Sequence, residues 1–274
     1  MRIVREQNSV NTTLNEATIR SLNAINRRFY DERADEFNQT RERAWRGWSE
    51  LFDRYGARVP RSPRVLDVGC GNARFARFLR QRLVEPFTYV GVDASKLGLD
   101  HAAKRVADVR LVEHDFIVEP EPLPASLASE HFDLIVLFGV VHHIPGEAHR
   151  RRVLTHLARH LAPGGLFAYT VWRFDRFERF RRKLVPWDEF PVNALELELE
   201  LGDHIMTWGD TDPAYRYCHA MSDEEAENLE RTIPLEALAG FSGDKDLNGY
   251  YVLVKKPPLD AREPTQGERG SRLE

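Results

Sequence analysis

Asp67, Gly69 and Gly71 stand together in the run Val65-Leu66-Asp67-Val68-Gly69-Cys70-Gly71-Asn72-Ala73, where a short apolar stretch gives way to an amphipathic one. A strand turning into a helix is the context in which such glycines carry meaning. They let the backbone turn sharply and approach a ligand with no Cβ in the way. A tight turn without a ligand is the alternative reading. A dinucleotide fingerprint needs a further glycine where this chain has Arg74, whose bulk would spoil close helix–strand packing. Asp67 is also a poor neighbour for a pyrophosphate and a good one for a cation. Asp93 follows Gly71 by 22 residues, at the expected end of the next strand, where a carboxylate accepts both hydroxyls of a ribose. Asp115 and Phe116 follow a third strand and offer a carboxylate and an aromatic face to a base. Three acids at three successive strand ends describe a nucleoside that carries positive charge and no phosphate. S-adenosylmethionine is such a molecule.

The elements that must position these residues alternate from residue 64 onward. Strands are expected at Arg64–Val68, Thr88–Val92, Val109–Val112, Phe132–Val141 and Leu166–Trp172. Helices are expected at Asn72–Leu83, Lys96–Val106 and Glu147–Leu161. That rhythm predicts an α/β fold of the doubly wound type, a mostly parallel sheet with helices on both faces and ligands at the C-terminal strand ends. Ala237–Gly243 and Tyr250–Val254 read as a final strand pair. Residues 9–57 read as a helical cover, opened by the capping box Thr13-x-x-Glu16 and carrying an apolar stripe of Leu14, Ile19, Leu22, Ile25 and Phe29. Trp45, Trp48, Leu51, Phe52 and Tyr55 form a second stripe. The segment 29–41 between them is too polar for a core helix and too aromatic for a linker.

Residues 173–220 break the rhythm and read as a lid inserted over one end of the sheet. Arg173–Lys183 holds six basic and two acidic residues, with Phe174, Phe177 and Phe180 interleaved every third position. This is a solvated amphipathic helix or a phosphate-gripping edge. Residues 187–212 hold eight acidic residues and no Lys or Arg, and within them Leu195–Leu201 alternates as a half-buried strand would. Ser222-x-x-Glu225 is another capping box. The domain division is thus 1–58 for the helical cover, 59–256 for the α/β domain with its lid at 173–220, and 257–274 for a disordered tail rich in Pro, Gly and charge.

Composition narrows the classes. With 42% hydrophobic and 30% charged residues, the chain has the makeup of a globular protein. Its longest apolar stretch, Leu134–Val141, is 8 residues, against the roughly 18 that a membrane span requires. No secretory signal is legible, and two cysteines make neither a disulfide framework nor a four-cysteine zinc site, so a reducing, cytoplasmic location is expected. A formal charge of −4 argues against generic DNA binding but allows a local basic patch. No metal is expected: His142 and His143, adjacent on a strand, would point apart, and Cys218 and His219 lack partners for a metal or a nucleophile pair.

The motifs together resemble the class I S-adenosylmethionine-dependent methyltransferases. Asp67-x-Gly69-x-Gly71 matches their first motif, with Ala73 at its third glycine. Gly91-Val92-Asp93-Ala94-Ser95 is similar to their second, Asp115-Phe116 to their adenine-contacting pair, and Pro163-Gly164-Gly165 to the turn before strand five. Within that class the flanks resemble the wobble-uridine tRNA methyltransferases, which methylate the carboxymethyl group at position 5 of anticodon uridines. The resemblance rests on Tyr30-Asp31-x-x-Ala34-x-x-Phe37-x-x-Thr40-Arg41-x-x-x-Trp45, Val140-Val141-His142-His143-Ile144, Tyr169-x-x-Trp172, Gly202–Trp208 and Tyr215–His219. Thr207 stands where that family has Pro, and Cys218 where it has Tyr.

The resemblance implies a Rossmann-like seven-stranded fold with S-adenosylmethionine as cofactor. Its site would include Tyr30, Arg41, Asp67, Gly69, Cys70, Gly71, Asn72, Asp93, Ala94, Ser95, Asp115, Phe116, Phe138 and His143. Arg41 is either a clamp for the methionine carboxylate or a plain surface residue. His142, Arg216, Tyr217 and His219 would face the methyl acceptor, with Arg216 orienting its carboxylate. A carboxylate is already ionised at neutral pH, so no general base is required. The implied partner is tRNA. An activating protein partner stays open, and no membrane is involved. A methyltransferase of small molecules, and a scaffold that holds the cofactor without turnover, are the alternative readings.

Overall fold

The computed structural model describes residues 14–40, 42–190, 197–209 and 212–256. Thr13 of the first capping box, Arg41 and the tail 257–274 lie outside them. Strand β1 (Arg64–Val68), helix α3 (Arg74–Arg82), β2 (Thr88–Asp93), α4 (Lys96–Arg105), β3 (Arg110–Glu113), β4 (Phe132–Leu137), α5 (Glu147–Arg159) and β5 (Leu161–Trp172) follow the expected alternation. After the insertion come α7 (Asp223–Thr232), β9 (Glu236–Gly243) and β10 (Asn248–Val254). The main sheet runs β3-β2-β1-β4-β5-β10-β9, parallel except where β10 pairs antiparallel with β5 and β9. The strand order reverses between β1 and β4, the place where open α/β sheets leave a crevice at their C-terminal edge.

Two apolar layers hold the sheet. Val153, Leu154 and Leu157 of α5, with Ala226 and Leu229 of α7, pack on Leu66, Ile135 and Phe167. Phe75, Phe78 and Leu79 of α3 and Trp48, Leu51 and Phe52 of α2 (Arg46–Tyr55) pack on the opposite face, against Val65, Leu134 and Ala168. Central strands buried on both faces explain why Phe132–Val141 is the most apolar run in the chain. Its strand ends at Leu137. The rest turns, and Val141–His143 forms one turn of 3-10 helix.

The first helix differs from expectation. Helix α1 (Glu16–Gln39) runs straight through the polar-aromatic segment and bends at Arg33, whose φ of −120° is not helical. Leu22 and Phe29 are buried. Asn15 caps it, its Oδ1 accepting from the Thr18 N–H at 2.8 Å. Ser222 caps α7 in the same manner.

The insertion is a three-stranded antiparallel sheet of β6 (Leu184–Val185), β7 (Asp203–Trp208) and β8 (Ala214–His219), preceded by the single-turn helix α6 (Glu178–Arg181). The strand expected at Leu195–Leu201 is not formed over its described part, Leu197–Leu201, where only Leu199 makes an isolated bridge. That segment gives its polar groups to helix ends instead. The Asn15 N–H donates to Glu198 Oε2 at the start of α1, and the Glu147 N–H to Glu200 Oε1 at the start of α5. Carboxylates at helix N-termini satisfy orphan donors and oppose the helix dipole. Leu197 and Leu199 meanwhile pack against Leu22, Ile205 and Tyr217.

Candidate active site

The crevice at the switch point is a cavity of about 600 Å³, walled by the C-terminal strand ends, α1, α2 and the insertion. Gly69 and Gly71 sit on its floor with φ of +75° and +51°. The two are required for different reasons. A Cβ on Gly69 would meet Val140 Cγ2 at 2.3 Å, whereas one on Gly71 would meet nothing within 4 Å and would point into open space. Ala73, at the motif's third glycine, also has positive φ, 51°. The Gly69 and Cys70 N–H groups both donate to the Val92 carbonyl, fastening the loop to β2.

The three acids gather along this side as the sequence indicates. Asp93 accepts the Gly71 N–H on Oδ2 and the Ser95 N–H on Oδ1, both at 2.8 Å, so it shapes the loop as well as facing the cavity. Burial raises its pKa against those two donors. Asp67 is 4% exposed and accepts from the Tyr89 hydroxyl at 2.5 Å. Burial outweighs that bond and brings its carboxyl up to about 7. Asp115 accepts from Asn23 Nδ2 at 2.8 Å and pairs with Arg27 at 3.3 Å, while Phe116 lies buried beside it. Cys70, Asn72, Ala94, Ser95 and Phe138 also line the cavity.

Sequence reasoning placed Tyr30 in the site but missed the rest of the α1 face that closes this side. Asn23, Asn26, Arg27 and Tyr30 line the cavity, a polar stripe at helical spacing beside the apolar one. The Tyr30 hydroxyl lies 3.0 Å from His143 Nε2, and His143 Nδ1 lies 2.9 Å from the Tyr217 carbonyl. Since the carbonyl can only accept, Nδ1 carries the proton and Nε2 accepts from Tyr30. Burial and the nearby Arg216 charge lower the His143 pKa to about 3, so the ring stays neutral. Asn26 Oδ1 in turn accepts the Tyr217 N–H at 2.8 Å. Both backbone groups of Tyr217 are thereby tied to the core of the site.

The other end of the cavity differs in character. Trp172, Phe180, Trp208, Lys183 and Arg216 line it. Arg216 is 5% exposed. Its guanidinium lies 4.9 Å from the Trp172 ring centroid and 5.5 Å from that of Phe29, and donates to Met206 Sδ at 3.4 Å. It makes no ion pair among the described residues, and its Nε has no hydrogen-bond partner there. A buried cation is costly without a counter-charge, and the aromatic faces return only part of that cost.

Three expectations require correction. Tyr217 and His219 do not join Arg216 in the cavity. On strand β8 neighbouring side chains alternate, so Arg216 and Cys218 share one face and Tyr217 and His219 the other. There the Tyr217 hydroxyl donates to Asp203 at 2.7 Å, and His219 lies between Asp203 and Glu225, 2.8 Å from each. Arg150, fully buried, completes the cluster by pairing with Glu200 and Glu225. The third correction concerns the adjacent histidines. They sit on a turn rather than a strand, both line the cavity, and their ring centroids are 4.2 Å apart. Their ligand atoms and Cys218 Sγ lie within 4.8 Å of one another. His143 has both nitrogens committed, to Tyr217 and Tyr30, which leaves that trio short of a metal ligand.

Residues 66–167 match the family of methyltransferase domains. A methyltransferase-family protein of Encephalitozoon cuniculi is 31% identical over 232 residues, spanning 83% of this chain and 94% of its own length. The chain belongs to the class I methyltransferases. The tRNA (carboxymethyluridine(34)-5-O)-methyltransferase of Schizosaccharomyces pombe is similar to this methyltransferase at 26% identity, again over 83% of this chain and 94% of its own. A solved methyltransferase structure from Clostridium acetobutylicum superposes with a TM-score of 0.61, covering 83% of this chain and 99% of that one, at 15% identity. The cofactor of this methyltransferase is S-adenosylmethionine, and the residues fit a nucleoside that carries positive charge: an open cradle over Gly71, the buried Asp67 and the half-buried Asp93 beside it. Among the described residues no helix is long and apolar enough to cross a membrane.

Proposed function

We propose that this enzyme methylates a carboxylate, and that the carboxylate belongs to a 5-carboxymethyl group on the wobble uridine of tRNA. The observation that carries the first part is the cavity's polarity. Asp67, Asp93 and Asp115 line one part of the cavity, with Arg27 offsetting Asp115, and the buried Arg216, without a carboxylate partner among the described residues, lines another. A cationic donor and an anionic acceptor would each meet opposite charge there. The similarity to the Schizosaccharomyces pombe tRNA enzyme, over 83% of this chain, supports the second part.

When bound, S-adenosylmethionine supplies a methyl group on a positively charged sulfur, and its transfer to a carboxylate oxygen leaves a neutral thioether and an ester with no proton to move. Asp93 would accept the ribose hydroxyls, Asp115 and Phe116 would hold the base, and Asp67 would face the donor's positive charge. Arg216 would fork onto the acceptor carboxylate. Trp172, Phe180 and Trp208 would exclude water around it, which strengthens both charge interactions. Tyr30 has its proton committed to His143, so its oxygen presents lone pairs to the positive end of the donor. Catalysis is then positioning and electrostatics rather than acid–base work.

The test is incubation of the enzyme with labelled S-adenosylmethionine and total tRNA, beside a small-metabolite extract. Label is expected in tRNA and is expected to leave as methanol in mild base, as an ester does. Arg216→Met should raise KM for the acceptor about tenfold or more, by loss of a charge-assisted pair. Label stable to base would refute the carboxylate, and label confined to metabolites would refute tRNA.

A further inference from the structure

The basic stretch 173–183 carries six cations against two acids, and its ion pairs divide those cations sharply. Arg173 and Arg176 both pair with Asp223, at 3.7 and 2.6 Å. Arg181 and Arg182 both pair with Glu178, at 2.7 and 2.9 Å. Arg179 and Lys183 make no ion pair among the described residues. Arg179 is exposed and lies over the rings of Phe180 and Phe177, 4.7 and 5.7 Å from their centroids. Lys183, also exposed, lines the cavity beside Phe180. Of the acids that follow, Glu198 and Glu200 turn to helix N-termini and Asp203 to His219.

Three cations thus mark one path. Arg216 is buried at the inner wall, Lys183 stands at the rim, and Arg179 lies outside on its aromatic bed. We propose that Lys183 and Arg179 hold the phosphate of the acceptor nucleotide while its carboxylate reaches Arg216, so that the site takes a doubly anionic substrate, a carboxylate inside and a phosphate at the mouth. This rests on the nucleotide reading above. Arg173, Arg176, Arg181 and Arg182 are each already held in an ion pair, Asp223 and Glu178 being shared by two arginines apiece, so the phosphate contact falls to the two cations that are not. A planar base between the two anions would lie against Trp172, Phe180 and Trp208, and a base can reach that depth only when turned out of its strand. The same chemistry is offered by an RNA loop and by a free nucleotide.

The experiment uses an anticodon stem-loop RNA bearing 5-carboxymethyluridine, with methylation kinetics and filter binding across salt concentrations. Lys183→Met and Arg179→Met should each raise KM about tenfold, as loss of a charge-assisted contact does. Each should also lower the salt slope by about 0.7. The double variant Arg181→Gln/Arg182→Gln should match wild type in both. S-adenosylhomocysteine titration of all variants should give the wild-type affinity and so report an intact fold. Wild-type KM and slope in Lys183→Met and Arg179→Met, or an equal loss in Arg181→Gln/Arg182→Gln, would overturn the assignment. If the enzyme leaves RNA unmethylated, the RNA reading falls separately, and 5-carboxymethyluridine is compared with its 3′,5′-bisphosphate. A preference for the bisphosphate that Lys183→Met removes would place the phosphate site on a free nucleotide. No preference would refute it.

Discussion

At the residue scale, Asp67 and Asp93 face the same cavity with different duties. Asp93 already accepts two backbone N–H groups, so its two oxygens are aimed before any ligand arrives. Asp93→Ala would remove the ribose contacts proposed for it and also free the Gly71 and Ser95 N–H groups. Each lost charge-assisted bond costs about 1.5–3 kcal/mol, so affinity for S-adenosylhomocysteine should fall tenfold or more in calorimetric titration. Equal affinity in mutant and wild type would sink the role given to Asp93. Asp67 has its carboxyl raised to about 7 by burial, and only its ionised form attracts a cation. Affinity for S-adenosylmethionine should therefore rise as pH is brought from about 6 to about 8, by about an order of magnitude if ionised Asp67 supplies most of the pull. In Asp67→Asn that rise should vanish. A wild-type affinity flat across the window would remove Asp67 from the cofactor site.

At the scale of elements, the insertion is fastened to α5 and α7 by the buried group of Arg150, Glu200, Glu225, Asp203 and His219. Burial and Arg150 press the His219 pKa down, but hydrogen bonds to Asp203 and Glu225 outweigh them and the net shift is upward. Its contribution to stability is complete below the unfolded value near 6.5 and is lost as pH rises through the folded one. Glu225 behaves oppositely. Burial raises it, His219 and Arg150 outweigh burial, and it settles at about 2, so its contribution is complete above an unfolded value near 4.3 and lost as pH falls through about 2. The fastening should be strongest between about pH 4.3 and 6.5. Urea unfolding against pH should show the upper limb of that dependence disappear in His219→Gln, and an unchanged upper limb would dismiss His219 as its source.

The same elements explain what could be read from the chain beforehand. The punctuation at Gly69 and Gly71 and the three strand-end acids follow from local spacing, and the structure brings them together. The fate of Arg216, Tyr217 and His219 depended on β8 being a strand, since alternation then separates them; a run of five chemical residues hid that parity. Tyr30 was legible through the family resemblance, but Asn23, Asn26 and Arg27, spaced three and four apart on the same helix, were not, because the apolar stripe beside them drew the reading toward simple packing. Leu195–Leu201 had the right period for a strand, but in its described part, Leu197–Leu201, a single bridge at Leu199 forms while Glu198 and Glu200 serve the ends of α1 and α5.

At the scale of the molecule, the sheet supplies a cofactor shelf common to its class, and specificity comes from what is laid across it. Most of the wall around Arg216 belongs to the insertion, through Phe180, Lys183, Trp208 and Arg216 itself. That insertion is held by α1 across great distances in sequence. Asn15 meets Glu198 at a separation of 183 residues, and Asn26 meets Tyr217 at 191. The cap over the cavity is therefore one unit written in two pieces of the chain. Recombination between relatives that exchanged only residues 173–220 would strand Asn26 opposite a foreign strand and leave the Tyr30–His143 pair facing an unfamiliar carbonyl. A graft intended to change the acceptor must carry the first helix with it, and lineages that diverge in substrate are expected to have altered both pieces in step.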